Sequence, residues 1–191
     1  MRRGYTVFDT ALGRCGIAWS DAGVVGVQLP EAREIETLRH LFRQFPEARE
    51  LRPPPSIEAA IDGIAAALRG HDVDLTEIDL DMSDVAPFNQ RVYDYVRQIP
   101  RGETRIYDQI AAHLHVGGAL HSVANALAKN PFPLIVPCHR VQGAGNGLDK
   151  ASPHRGIISG RRLLALEGAL PEAGLTLFDA LLVVDRARAA H

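Results

Sequence analysis

The stretch Asn130-Pro131-Phe132-Pro133-Leu134-Ile135-Val136-Pro137-Cys138-His139-Arg140-Val141 joins a helix stop, a short apolar run and a pair of reactive side chains. Asn130-Pro131 breaks whatever helix precedes it. Leu134-Ile135-Val136 is buried by composition, and Pro137 removes a backbone donor and ends regular pairing. Cys138, His139 and Arg140 follow at once, so the chain reaches a rim there and not a core. A lone cysteine beside an apolar strand is commonly a small core hydrophobe. Here the thiol has polar neighbours that favour the thiolate, its nucleophilic form. Adjacent side chains on an extended chain point to opposite sides, so His139 is expected to reach the sulfur through a bridging water. A base needs an orienter, and Glu167, in the last turn of the final helix, is the candidate.

Working outward, residues 87–168 read as helix after helix. Phe88–Ile99 carries Phe88, Val92, Tyr95 and Val96 on one face, and Pro100-Arg101-Gly102 turns the chain. Thr104 is expected to cap a helix running to His113 or Leu114, with Ile106, Ile110 and Ala111 inward. Val116-Gly117-Gly118 is the next turn, and Ala119–Lys129 is the next helix. Two short helices across a glycine turn form a helix-turn-helix pattern, although many such pairs are only packing units. Gln142–Asp149 is a glycine-rich loop. Ser159–Gly168 reads as a final helix with Gly168 just past its end. An apolar stretch at Leu175–Val184 is expected to dock on the body.

The first part of the chain has another texture. Tyr5–Asp9, Arg14–Ser20 and Gly23–Gln28 are β-rich runs separated by turn residues, which predicts a three-stranded antiparallel meander. Glu31–Phe45 has helical spacing at Ile35, Leu38, Leu41, Phe42 and Phe45. After the stiff Arg52–Pro55, Ser56 is expected to cap a second helix ending at Gly70. Asp74–Met82 alternates apolar and acidic residues, which predicts a half-buried strand beside the meander. The fold class is therefore α+β, with residues 1–84 as an N-terminal domain, 85–170 as a helical domain and 171–191 as a tail.

The chain has 191 residues, 46% hydrophobic and 23% charged, with a net charge of −2. That is globular composition, and the overall charge by itself argues against nucleic acid as a partner. The charge is unevenly spread. Residues 87–168 hold ten basic and five acidic residues, +5, and the remainder holds eleven against eighteen, −7. A basic helical segment is compatible with phosphate contact. Two cysteines, Cys15 and Cys138, exclude a disulfide scaffold or a zinc ribbon. No metal site is expected, and Cys15 reads as core. No apolar run is long enough to span a membrane, and no signal peptide is seen, so a cytoplasmic protein with reduced thiols and no membrane partner is expected.

The stretch quoted first, together with Ile99-Pro100-Arg101-Gly102-Glu103-Thr104-Arg105-Ile106-Tyr107 and Leu163-Leu164-Ala165-Leu166-Glu167-Gly168, resembles the methylated-DNA–protein-cysteine methyltransferases. These proteins repair O6-alkylguanine, and the resemblance covers roughly residues 87–168. It implies a ribonuclease-H-like antiparallel sheet with helices, followed by a winged-helix-like domain with a helix-turn-helix. It also implies a single-turnover transfer of the alkyl group to Cys138, after base flipping, from double-stranded DNA containing alkylated guanine. No cofactor is implied, and a monomer is expected. Catalytic roles are implied for Cys138 as acceptor, His139 and Glu167 as relay, and Asn130 as hinge. DNA- or base-binding roles are implied for Tyr107, His121, Arg140 and Ser122.

The sequence departs from the family in two places. His121 stands where the family carries an arginine that fills the space of the flipped base, and Ala124 and Asn125 replace two small glycines. The loop 146–155 lacks the family's glycine and tyrosine pattern and is about two residues longer. Two further readings therefore stay open. One is a non-repairing module that binds or senses alkylated DNA. The other is a thiol hydrolase, for which no oxyanion hole is visible.

Overall fold

A computed structural model of the chain describes residues 3–117, 120–143, 158 and 160–169. The meander forms as expected. Strands β1 (Gly4–Thr10), β2 (Gly13–Ser20) and β3 (Gly23–Gln28) pair antiparallel, with a β-bulge at Ala18/Trp19. A two-residue strand, β4 (Arg49–Glu50), adds parallel to β1, so the sheet order is β3-β2-β1-β4.

Helix α1 (Glu34–Gln44) lies on the sheet through Thr37 and Leu41, followed by Phe45. Its apolar spacing overstated the buried face, because Ile35 and Phe42 are exposed, with Phe42 in a T-shaped contact with the Tyr5 ring. Helix α2 (Pro55–Leu68) buries Ile57, Ala60, Ile64 and Leu68. It starts one residue before the expected cap. Pro54 is the N-cap and Pro55 the first helical residue, where a missing N–H costs nothing; Ser56 therefore lies inside the first turn.

The strand expected over Asp74–Met82 does not form. Asp74 Oδ1 accepts from the Thr76 N–H and hydroxyl at 2.8 and 2.7 Å, a local turn that competes with the ladder. Only Leu80 keeps a bridge, to Val24.

Helix α3 (Pro87–Arg97) buries Val92, Tyr93 and Val96. Tyr95, expected inward, is half-buried against the His113 ring. The helix expected to start at Thr104 begins later. Arg105–Ile106 forms β5, which pairs parallel with β6 (Val141–Gln142), and α4 (Tyr107–His113) follows. Gln109 Oε1 accepts the Ile106 N–H at the start of α4. Helix α4 closes with His115 at φ +56, an unusual conformation for a side-chain-bearing residue. Helix α5 (Leu120–Ala128) completes the helix pair. Helix α6 (Gly160–Leu166) ends in a Schellman motif: the Gly168 N–H bonds Ala165 O and the Ala169 N–H bonds Leu164 O. Gly168 sits at φ +75, where glycine carries no Cβ penalty.

One continuous apolar core runs from the sheet and α2 through α3, α4, α5 and α6. The segment before Cys138 is stitched to the sheet edge, because the Val27 N–H bonds Pro131 O at 2.8 Å. Beside this contact, the Phe45 ring leaves no space at Gly26. A Cβ there would come within 2.3 Å of Phe45 Cζ and 3.1 Å of Pro131 O. Gly26→Ala should therefore cost about 1–3 kcal/mol by overpacking, read as a lowered denaturation midpoint in urea at unchanged slope. An unchanged midpoint would show that this contact yields freely. No helix among the described residues is long and apolar enough to cross a membrane. The loop 146–155 and the stretch Leu175–Val184 lie outside the described residues.

Candidate active site

The site is built by a segment that cannot be regular. Asn130 ends α5 and turns its side chain back on the chain. Its Nδ2 donates to Val136 O at 2.9 Å, and its Oδ1 accepts from the Phe132 N–H at 2.9 Å. Between these anchors Leu134 is buried at φ +74, a strained conformation for leucine that the surrounding bonds hold in place. The Val136 N–H bonds Phe132 O, closing the turn. Pro137, at φ −77 and ψ 67, is the centre of an inverse γ-turn in which the Cys138 N–H bonds Val136 O at 2.8 Å.

Cys138–Arg140 is then one turn of 3-10 helix. Successive side chains are set about 120° apart, not the 180° of an extended chain. Cys138 is 4% exposed and His139 3%. The His139 Nε2 lies 2.7 Å from Glu167 Oε1. With the carboxylate as acceptor, Nε2 carries the proton of the neutral ring and Nδ1 is its basic nitrogen. Arg140 was expected at the DNA or the base, but it turns inward. Its Nε and Nη2 donate to the Glu167 carboxylate at 2.9–3.2 Å, and its Nη1 donates to Ile99 O at 2.6 Å.

The electrostatics follow from burial. Loss of hydration pushes the Cys138 thiol above its ordinary range, although the Asn130 side chain and the Cys138 and His139 N–H groups favour the thiolate. Burial lowers the His139 pKa more strongly than Glu167 raises it, and Arg140 lowers it further. The ring is therefore neutral near pH 7 and free to take a proton. Burial raises the Glu167 pKa, but hydrogen bonds and charge from His139 and Arg140 outweigh it and bring the carboxyl down to about 2. With His139 neutral, Arg140 supplies the positive charge that keeps Glu167 ionised. Cys15 contrasts with this site: it is fully buried and its thiol is pushed up to about 12.

Cys138, His139, Glu167, Asn130 and Arg140 thus converge. Tyr107 is half-buried at the start of α4, and His121 and Ser122 are exposed in the first turn of α5. The sequence reading missed Tyr93. It is 1% exposed, its hydroxyl donates to Ala126 O on α5, and burial, with Cys138 nearby, raises its pKa. Its place beside Val92 and one turn before Val96 was the available signal. Among the described residues no group of three or more His, Cys, Asp or Glu side chains could hold a metal ion.

Three comparisons bear on this arrangement. Residues 87–169 match the family model for the DNA-binding domain of 6-O-methylguanine DNA methyltransferase. The methylated-DNA–protein-cysteine methyltransferase of Methanothermobacter thermautotrophicus is 35% identical over 154 residues, 80% of this chain and 78% of the relative. The crystal structure of the Mycobacterium tuberculosis O6-methylguanine methyltransferase superposes with a TM-score of 0.62 at 31% identity, over 93% of this chain and 99% of that one. A structure of the same organism's OGT in complex with DNA gives 0.63 at 30%, over 87% and 93%. A buried thiol, a neutral histidine and an ionised glutamate sit on a chain that matches these relatives across both its sheet and its helices, and on that ground it belongs to the methylated-DNA–protein-cysteine methyltransferases.

Proposed function

We propose that this chain repairs DNA by a single-use alkyl transfer from O6-alkylguanine to Cys138. The observation that carries the proposal is the Cys138 thiol held beside a neutral His139, itself oriented by an ionised Glu167. His139 takes the thiol proton through a bridging water, and Glu167 stabilises the imidazolium that forms. The C–S bond forms as the C–O6 bond breaks. The electron pair stays on guanine, which regains a proton at N1. Sulfur suits this displacement because it is soft and strongly nucleophilic. The thioether is stable, so the protein is spent, and no cofactor is called for.

The target base must leave the duplex to meet a thiol buried this deeply. We assign the approach to DNA to α4 and α5. Tyr107 meets the target nucleotide, and Ser122 and His121 lie at the groove, with His121 filling the space of the flipped base. Minor-groove docking fits a reader of damage, because that groove carries little sequence code.

The sheet order β3-β2-β1-β4, with β4 parallel to β1, supports a ribonuclease-H-like first domain over 1–84. The α4–α5 pair, with β5 and β6 beside it, supports a winged-helix-like second domain over 85–170. We take the protein as a monomer working in the cytoplasm, where both of its free thiols stay reduced.

The test is to incubate the protein with duplex DNA containing O6-methylguanine and weigh it. A gain of about 14 Da on the Cys138 peptide, one per molecule, is expected, since a methyl replaces a proton. Tight binding with no mass gain would instead make the chain a sensor of alkylated DNA. His121→Arg should raise the transfer rate on duplex DNA by about threefold or more, and leave the rate on free O6-benzylguanine unchanged, because only the duplex needs flipping. Equal rates on the duplex would remove His121 from the flipping step.

A further inference from the structure

We propose that Arg101 is a positioning residue for the transfer, acting through Glu167; the inference rests on the activity proposed above. Arg101 lies in the turn between α3 and β5 and does not form part of the thiol cluster. Its guanidinium instead closes the ends of two helices that are far apart in sequence. Nη2 donates to Gly70 O at 2.7 Å and to Leu166 O at 2.6 Å, and Nη1 donates to His71 O at 2.7 Å. The first and third carbonyls lie just past the cap of α2, at Gly70 and His71, and the second belongs to Leu166, the last residue of α6. A cation at a helix C-terminus is favoured by the dipole and satisfies carbonyls that the helix leaves open.

The consequence concerns Glu167, the residue after Leu166. Helix α6 has only seven residues, two turns, so it has little rigidity of its own. Glu167 lies beyond the last helical residue, and its placement depends on what holds that end. The Schellman closure at Gly168 holds it from one side and Arg101 holds it from the other. Arg140 completes a ring. It donates to Glu167 with one side of its guanidinium and to Ile99 O with the other, two residues before Arg101. The turn at 99–101 is thus bonded to the α6 terminus in both directions, outward by Arg101 and inward by Arg140. The Arg101 guanidinium also reaches the two carbonyls that follow α2, so the N-terminal half of the chain helps to fix the carboxylate that orients His139. Arginine serves this best, since one planar fork reaches three carbonyls, and a lysine ammonium on its flexible stem keeps only part of them.

The experiment is single-turnover kinetics on the full chain, with O6-methylguanine duplex in saturating excess. It separates the first-order constant of transfer from its amplitude, and DNA affinity is measured in parallel. For Arg101→Ala the constant should fall about tenfold, with amplitude still one alkyl per molecule and affinity unchanged. Arg101→Lys should recover the constant to within about threefold of the native value. In a Glu167→Gln background, Arg101→Ala should slow transfer no further, because the residue it acts through is already lost.

A native constant with reduced amplitude would overturn the proposal, since that is the mark of a purely structural role. An equal fold-loss in the Glu167→Gln background would overturn it too. Should Arg101→Ala not fold, Arg101→Lys and Arg101→Gln carry the same comparison. Native protein that gains no alkyl group would overturn the activity itself, and is distinguished from failure of the positioning role by the native control.

Discussion

Cys138→Ala is expected to abolish alkyl transfer while leaving DNA binding within about twofold of the native protein. The substitution removes one sulfur at a site that is 4% exposed, so no surface available to a duplex changes much. The segment around it keeps its own anchors: Asn130 still spans Val136 O and the Phe132 N–H, and the Val136 N–H still bonds Phe132 O. Stability should fall by about 1 kcal/mol, as for loss of a small buried group. The chemistry has no substitute. The other thiol, Cys15, is fully buried in the first part of the chain, with its pKa pushed up to about 12. Intact-mass measurement after incubation with O6-methylguanine duplex checks this. The mass gain of about 14 Da should disappear. A persistent gain in the variant would place the nucleophile elsewhere and remove Cys138 from the reaction.

Glu167→Gln should have two separable effects. The first is on rate. The amide no longer stabilises the imidazolium or fixes the ring proton on Nε2, so transfer should slow by about a hundredfold. The second is on stability. Arg140, whose side chain is 15% exposed, loses the carboxylate that four donor contacts from Arg140 and His139 now serve. Removing one partner of a buried ion pair typically costs about 3–5 kcal/mol.

The pH dependence gives a sharper check. Glu167 drops from the ordinary 4.5 to about 2 in the folded chain. A depressed carboxyl stabilises fully above its unfolded pKa, and that stability drains away as pH falls from there through about 2. The shift corresponds to about 3 kcal/mol. The stability gap between native and Gln proteins, read from urea unfolding, should therefore be largest at neutral pH and shrink as pH falls below 4.5. A gap that stays constant with pH would mean that the ionised carboxylate is not what stabilises this corner.

The elements that local chemistry decides were readable in the sequence. The meander follows from β-branched runs between glycine turns, and the helices around Val92, Ile110 and Val123 follow from their spacing. Misreadings occurred where a side chain competes with the pattern. Alternation at Asp74–Met82 suggested a strand, but Asp74 captured Thr76 in a local turn. Thr104 looked like a cap, but β6 claimed Arg105–Ile106 from a distance of thirty-six residues, a pairing that no local window contains.

The site divides along the same line. Cys138, His139 and Asn130 share one segment and could be named together. Glu167 had to be supposed, and its 2.7 Å contact with His139 depends on how α6 packs. The inward turn of Arg140 and the three carbonyls of Arg101 were not legible, because a guanidinium bound to distant carbonyls leaves no periodic trace in sequence.

The outer edge of β3 has a further consequence. Its Val24 N–H is taken by Asp79 O, its Val24 O by the Asp81 N–H, and its Val27 N–H by Pro131 O. The last of these partners belongs to the segment that carries Cys138. Cleaving the chain between residues 84 and 85 would therefore not release two tidy halves. The N-terminal fragment would keep the contacts of Asp79 and Asp81 but present the Val27 end of its sheet, beside buried Val25 and Leu29, as an open template for another strand. Such a fragment should self-associate, and the thiol-bearing half serves the other as a built-in guard against that fate.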